Sequence, residues 1–187
     1  ARDYLREALA ADARAVRASV LLGDIEAEEG RYREAIKAWR KVEDQDAHYF
    51  GEVAGRIADA YRRLDDEQGL YDFFSGALQR HAAVSLTLTF TDIIKKRDGI
   101  KAAEKFVVEW LRRRPNVHGL HQLLEINLEQ TEGNAKKDLR LLQGIIEELR
   151  QQHQGYACQQ CGFRGKSLHW LCPSCNRWNT IKPVVEE

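Results

Sequence analysis

The chain contains four cysteines, and all of them lie within eighteen positions near its end. Cys158 and Cys161 form one CxxC pair, Cys172 and Cys175 form another, and ten residues separate the pairs. Because a tight turn lets both sulfurs of a CxxC pair reach one ion, two facing turns would place four thiolates in a tetrahedron. The spacing therefore predicts a closed metal site in which all four ligands are cysteine.

The residues next to the cysteines fit such turns. Gly162 can adopt the positive φ that is needed after the second sulfur, and Asn176, which tolerates the left-handed region, holds the equivalent place in the other pair. Four aromatic residues are expected to pack a module too small for a large core, with the metal holding it folded: Tyr156, Phe163, Trp170 and Trp178.

Other chemistries of the cysteines are open alternatives. Two disulfides would need an oxidising compartment, and nothing in the sequence signals export. A thioredoxin-like dithiol would need a βαβ unit, which the segment is too short to form. His169 is a weaker candidate as a substitute ligand. Zinc and iron both accept tetrahedral sulfur, and we expect zinc because an iron electron carrier has no evident use for the helical segments described next.

The chain before the cysteines repeats with a period of about 34 residues. The stretch SVLLGDIEAEEGRYREAIKAWRKV, residues 19–42, places small, turn and apolar residues where a tetratricopeptide (TPR) unit of two antiparallel helices needs them. Further units start near 51 and 84, a degenerate one covers about 117–130 and 135–152, and residues 1–8 match the second helix of a preceding unit. The alternative is a plain helical bundle with accidental spacing.

The predicted fold is therefore mainly α: a TPR-type solenoid of helical hairpins over 1–153, starting inside a repeat, and a small zinc-ribbon, rubredoxin-like metal module over 154–187. Four glycines are expected to follow helices and end them in the left-handed region: Gly30, Gly69, Gly99 and Gly133.

In such a solenoid the first helices of successive hairpins line a concave surface that suits a peptide or a folded partner. The repeat register places the following candidate partner-binding residues there: Arg17, Asp24, Glu28, Asp59, Arg62, Arg63, Asp92, Lys95, Lys96 and Gln122. Their mixed signs favour a protein partner over a polyanion. The alternative is that they are ordinary solvated helix faces.

Composition excludes several function classes. The 29 basic and 29 acidic residues cancel, so no overall field directs the chain to nucleic acid or to a membrane. No apolar run approaches the ~20 residues that span a bilayer, so we expect these residues to be soluble. The chain has no Met and starts within a helical pattern, so we expect it to be the C-terminal part of a longer protein; the alternative is that an initiator Met was removed before Ala1. His118 and His121 lack a matching carboxylate or nucleophile pattern, so we name no catalytic residue.

Degenerate TPR units followed by YACQQCGF and HWLCPSC resemble the lipopolysaccharide assembly protein B family of Gram-negative bacteria. The resemblance covers essentially the whole chain, and the cysteine segment is its specific part. It implies that the metal ligands are Cys158, Cys161, Cys172 and Cys175, and that an N-terminal helix, outside this sequence, anchors the protein to the inner membrane with the remainder facing the cytoplasm.

The resemblance also implies a function without catalysis. Members of the family are adaptors that bring the lipid A committing deacetylase, UDP-acyl-N-acetylglucosamine deacetylase, to an FtsH-type membrane protease, which restrains lipopolysaccharide output. Other envelope-assembly proteins and a second copy of the chain are further candidate partners. An iron redox protein and a zinc-ribbon protein that binds nucleic acid are the alternatives.

Overall fold

The computed structural model describes residues 1–81, 83–152 and 155–184. Helices follow one another along the chain up to Gln152, and three short strands follow them. The helices are α1 (Arg2–Ala11), α2 (Val16–Glu28), α3 (Tyr32–Gln45), α4 (Phe50–Arg63), α5 (Glu67–Arg80), α6 (Val84–Asp98), α7 (Ile100–Arg113), α8 (Val117–Gln130) and α9 (Gly133–Gln152), with a 3-10 turn at Ala47–Tyr49.

The helix boundaries confirm the predicted repeats. The first helices of the four hairpins, α2, α4, α6 and α8, start at residues 16, 50, 84 and 117, close to the period expected of TPR units. Their second helices are α3, α5, α7 and α9, and α1 stands where the second helix of a preceding unit was expected. The mainly α, TPR-type fold is confirmed; the 3-10 turn before α4 was not predicted.

The first hairpin shows why the sequence forms this unit. Near the turn between the helices, Arg31 donates a hydrogen bond to the carboxylate of Glu26. Farther from the turn, Trp39 donates its indole N–H to the carbonyl of Val20 at 3.2 Å. These pairs run in opposite directions along the two helices, so α2 and α3 are antiparallel. A Cβ on Gly23 would lie 2.3 Å from the Trp39 ring nitrogen, so only glycine lets the helices approach at this level.

The glycine prediction is right at three positions and wrong at one. Gly30, Gly99 and Gly133 follow helices and have positive φ. Gly69 instead lies inside the first turn of α5. The left-handed position after α4 is taken by Asp65, with φ of +54°, and the side chain of Asp66 caps α5 by accepting the Gly69 N–H at 2.8 Å. Aspartate tolerates the left-handed region, so glycine is not needed there.

Contacts divide the chain into two compact units, Ala1–Thr89 and Phe90–Glu187. In the first unit, α3, α4 and α5 share a core whose centre includes the fully buried Val42, Phe50, Ile57 and Phe74. In the second, the rings of Phe90 and Phe106 meet edge to face with centroids 5.4 Å apart. The boundary predicted between residues 153 and 154 falls on residues outside the described ones, so it stays a prediction.

Helix α9 is apolar on two sides. Helix α9 contacts α8, and Leu139 and Ile146 are half-buried, whereas a second row is exposed, with Leu141 69%, Leu142 48%, Ile145 49% and Leu149 46% accessible. This helix therefore departs from the polar outer face that usually ends a repeat array.

Within residues 1–81, 83–152 and 155–184, every helix is too short or too polar to span a bilayer.

The carboxylate of Glu43 connects α3 to the end of α5. Arg80 Nε donates to Glu43 Oε1 at 2.7 Å, and His81 Nε2 lies 2.7 Å from the same oxygen. Burial opposes ionisation of Glu43, but the hydrogen bonds from Arg80 and His81 outweigh it and lower the pKa of Glu43 below its ordinary value of 4.5. A group with a lowered pKa stabilises the folded state at pH values above its unfolded pKa.

We expect Gly23→Ala to lower the free energy of unfolding by about 1 to 3 kcal/mol, because the added methyl group collides with the Trp39 indole. Urea titration followed by circular dichroism measures the change. Gly55→Ala is the matched control: Gly55 lies exposed in α4 with nothing within 4 Å of the place that a methyl group would occupy, so alanine should leave stability unchanged or raise it. Equal losses in both variants would contradict the close approach.

We expect Glu43→Gln to remove a pH-dependent part of the stability. At neutral pH the wild type should be the more stable protein, and the difference should disappear as the pH falls below 4.5 through the lower folded-state pKa of Glu43. Urea titrations at several pH values measure the difference. Glu7→Gln, at an exposed position of α1, is the control and should show no such trend. A difference between wild type and Glu43→Gln that is independent of pH would refute the assignment.

Candidate metal centre

Two equivalent turns carry the four cysteines. In the first, the Cys158 N–H donates to the Phe163 carbonyl at 2.7 Å and the Gly162 N–H donates to the Cys158 carbonyl at 3.0 Å. In the second, Cys172 and Asn176 repeat both hydrogen bonds at 2.9 Å, the Cys172 N–H bonding the Arg177 carbonyl. Gly162 and Asn176 have φ of +76° and +54°, as the sequence predicts.

The turns bring the four sulfurs together. All four Sγ atoms lie within 4.8 Å of one another, with 3.8 Å between Cys158 and Cys175 and 3.7 Å between Cys161 and Cys172. Sulfurs about 2.3 Å from a central ion form a tetrahedron with edges of about 3.8 Å. These separations are far longer than a disulfide bond of about 2.05 Å, and the four cysteines are free. The residues present therefore fit one tetrahedral metal ion.

The electrostatics of the four sulfurs favour a cation at their centre. The Thr180 hydroxyl, 3.2 Å from Cys158 Sγ, is the main cause that lowers the pKa of Cys158 to about 6. The backbone N–H of Arg177 favours the thiolate of Cys175, but burial and the neighbouring sulfurs outweigh it and raise the pKa of Cys175 to about 11. Four thiolates at these distances repel one another, and a divalent ion reverses that effect.

A small antiparallel sheet holds the first turn. Its strands are β1 (Tyr156–Cys158), β2 (Arg164–Gly165) and β3 (Ile181–Pro183), in the order β2-β1-β3. Cys158 lies opposite Ile181, which is 1% exposed. Cys158, Cys172 and Ile181 form the centre of the module, and Tyr156, Phe163, Leu168 and Cys175 pack against it.

The prediction for the aromatic residues is only partly right. Tyr156 and Phe163 pack against the sulfur core, and Trp170 is half-buried. Trp178, in contrast, is 55% exposed. Ile181 instead belongs to the core of the module, and Leu168 packs against it. His169 is exposed and lies 3.2 Å from the Ser167 hydroxyl, outside the group of four sulfurs.

The chain was compared with known proteins. Residues 156–183 match the rubredoxin metal binding domain family. The chain is 32% identical to lipopolysaccharide assembly protein B of Escherichia coli K12 over 185 residues, which is 98% of this chain. It is 31% identical to the protein of the same name in Haemophilus influenzae over 189 residues, which is 100% of this chain. The chain is a homologue of lipopolysaccharide assembly protein B. The expected resemblance is therefore confirmed.

The chain spans about half the length of these relatives, 48% and 47% of the Escherichia coli and Haemophilus influenzae proteins. Among solved structures, that of YrrB, described as a TPR protein with an unusual peptide-binding site, is similar with a TM-score of 0.48 and 11% identity over 82% of this chain and 78% of that one.

The sequence also predicted partner-binding residues for this lipopolysaccharide assembly protein B homologue, and the structure places several of them in contacts between first helices. Asp24 of α2 accepts hydrogen bonds from Trp39 Nε1 at 3.2 Å and from Arg56 of α4 at 3.1 Å. Within the second unit, Gln122 of α8 donates to Asp92 of α6 at 3.3 Å. Side-chain hydrogen bonds thus join α2 to α4 and α6 to α8, which are first helices of successive hairpins.

The other candidates differ in how much surface they offer. Lys95 of α6 pairs with Glu129 of α8, Asp59 pairs with Arg62 at 2.7 Å, and Gln122 is only 8% exposed. The remaining candidates are all exposed: Arg17, Glu28, Arg63 and Lys96. Binding of a partner by any of these ten residues stays a prediction.

Sequence reasoning missed three residues that shape these sites. Arg56 binds Asp24, Thr180 contacts the Cys158 sulfur, and Asn179 adopts φ of +59°. The Asn-Thr pair after Trp178 was a usable signal, since asparagine tolerates the left-handed region and threonine can hydrogen-bond locally.

We expect the double substitution Cys172→Ser with Cys175→Ser to abolish metal binding, because the first turn alone supplies only two sulfurs. Elemental analysis of the purified full chain should find about one equivalent of metal in the wild type, as a single four-sulfur site requires, and almost none in the variant. Ser174→Ala, within the same turn, is the control and should keep its metal. Metal retained by the double variant would contradict the four-sulfur site.

Proposed function

We propose that this chain is the cytoplasmic part of a regulatory adaptor of lipopolysaccharide biosynthesis, anchored to the inner membrane by a segment outside this sequence. The adaptor presents the lipid A committing deacetylase to an FtsH-type membrane protease, which degrades it. The observation that supports this proposal best is the similarity to lipopolysaccharide assembly protein B along 98% of the chain, including the four-cysteine module.

The proposed activity is binding without catalysis. Helical hairpins in series present an extended surface, and a protein held on that surface near the protease experiences a raised effective concentration. Exposed charges of both signs on the first helices, such as Arg17 and Glu28 on α2 and Lys96 on α6, suit a folded protein partner. A polyanion would instead select a row of basic residues.

Zinc is the metal we propose for the four-sulfur site. Iron fits the same sulfur tetrahedron, so the choice depends on function. Zinc has no redox chemistry and serves as a structural ion in closed sites of this type, which suits a module whose task is to hold a surface in shape. An ion bound by all four cysteines would connect β1, which carries Cys158, to the second turn, which carries Cys172 and Cys175.

The test is co-purification with the membrane-tethered full-length protein. We expect the wild type to bring down both the deacetylase and the protease, and we expect the variant with Cys172→Ser and Cys175→Ser to bring down much less of both, because loss of the metal unfolds the module. The lifetime of the deacetylase after protein synthesis is blocked should lengthen in the same variant. Ser174→Ala is the control for the substitutions.

Two outcomes would contradict the proposal. Unchanged co-purification by a metal-free variant would separate the module from partner binding. Reversible reduction together with visible sulfur-to-iron absorption, in protein purified without added metal, would instead favour an iron redox protein.

A further inference from the structure

Helix α9 exposes a row of four large aliphatic side chains. Leu141, Leu142, Ile145 and Leu149 are between 46% and 69% accessible. Because an α-helix makes one turn every 3.6 residues, positions three, four, seven and eight apart lie on one side of it. The four side chains therefore form one continuous apolar stripe about 12 Å long, called the aliphatic row below.

The rest of its own compact unit leaves the aliphatic row accessible. The metal module belongs to the same unit as α9, Phe90–Glu187, and the row is exposed with the module in place. Helix α8 contacts α9 as well, and it also leaves the row accessible. A repeat array usually ends in a polar outer face, so an apolar stripe on its last helix marks a place where another chain can pack.

The charges of α9 are separated by sign along the helix. Residues 133–142 carry three basic groups and one acidic group, and residues 143–152 carry two acidic groups and one basic group: Lys136, Lys137, Arg140 and Asp138, then Glu147, Glu148 and Arg150. Glu147 already pairs with Arg150 at 2.8 Å, whereas Lys137, Arg140 and Glu148 are exposed. Asp138 lies about one turn before Leu142 and limits the aliphatic row at that end.

We propose that two copies of the chain associate through α9, with the two helices antiparallel around a two-fold axis and the two aliphatic rows packed on each other. An axis midway between Leu142 and Ile145 sets each of these residues opposite the other one in the second copy. Leu142, Ile145 and Leu149 have the three- and four-residue spacing with which helices interdigitate in a coiled coil. The occupant of the exposed row is thus the same row of a second copy.

The exposed charges select the antiparallel direction. Lys137 and Glu148 are eleven positions apart, which is about three turns, so they project from the same edge of the aliphatic row. A two-fold axis across an antiparallel pair brings the same edges of both helices together. Lys137 of each copy then lies within about 3 Å of the level of Glu148 of the other copy, measured along the helix axis. A parallel pair would instead set basic ends level with basic ends.

A second copy fits this face better than a lipid surface does. An anionic membrane attracts basic residues, and Glu148 lies on the same edge of the row as Lys137. A second copy supplies an apolar stripe of the same length and the opposite order of charges. Four partly accessible side chains bury less area than a stable dimer needs, so we expect weak, concentration-dependent association. The inference goes beyond the proposed adaptor function, because a pair of chains would present two helical surfaces at once.

Sedimentation velocity of the metal-replete chain, at concentrations up to about 1 mM, measures the association. We expect monomers at low concentration, dimers as the concentration rises, and no larger species, because a two-fold contact closes on itself. The double substitution Leu142→Gln with Ile145→Gln should weaken the association about tenfold or more. Tyr4→Gln is the control, since Tyr4 is 77% exposed on α1, and it should associate as the wild type does. Circular dichroism and metal content are measured for every variant.

Charge reversal tests the direction of the helices without changing the aliphatic row. Lys137→Glu or Glu148→Lys alone sets like charges together at both edge contacts of the pair, so each should weaken the association about fivefold. Both substitutions in one chain restore opposite charges and should restore the association. An equal mixture of the two single variants should form mixed dimers for the same reason. Lys105→Glu, at an exposed position of α7, is the matched control and should associate as the wild type does.

Three results would overturn the inference: a chain that stays monomeric over the whole range, association that persists unchanged without Leu142 and Ile145, or a double charge variant that stays as weak as the single ones. A monomeric chain that binds phosphatidylglycerol vesicles through the same residues would overturn it in favour of a membrane surface. Since sedimentation is measured without the deacetylase and the protease, a negative result leaves the co-purification test of the adaptor function standing.

Discussion

Repulsion between four sulfurs governs the C-terminal module. Cys158 and Cys175 lie 3.8 Å apart, and Cys161 and Cys172 lie 3.7 Å apart, so four thiolates held there would repel one another and a divalent cation at their centre would offset that repulsion. The surrounding structure follows from that constraint. Two turns with the same hydrogen bonds aim the sulfurs inward, and a left-handed residue, Gly162 or Asn176, reverses the chain after each pair.

The helical part of the chain depends on a different constraint, which is the close approach of neighbouring helices. A hairpin of two helices cannot bury its own apolar face, so small residues are placed where neighbours meet. Gly23 against Trp39 is the clearest case, since a methyl group there would overlap the indole ring. Polar contacts add to this packing, since hydrogen bonds from Arg56 to Asp24 and from Gln122 to Asp92 join α2 to α4 and α6 to α8.

Much of this could be predicted because it depends on local residue types. The 34-residue period placed units near 51, 84 and 117, close to the starts of α4, α6 and α8, and the two CxxC pairs predicted the four sulfurs that the structure brings together. The wrong predictions concern positions at which more than one residue type can adopt the required backbone conformation or fill the core. Asp65 replaced the glycine expected after α4, and Ile181 rather than Trp178 filled the module, because strand β3 places it opposite Cys158. The exposure of each candidate partner-binding residue depends on side chains of other helices, such as Arg56 for Asp24, and the repeat period does not predict these contacts.

The way in which the two cysteine turns complete one site has a thermodynamic consequence. An ion that binds only where all four sulfurs converge binds the folded module and not the open chain, so every tenfold change in free metal shifts the module's stability by about 1.4 kcal/mol, once the site is near saturation. The antiparallel bridge between Leu171 and Trp178 closes the second turn. The fraction of chains in which this turn is formed would therefore rise with the concentration of free metal.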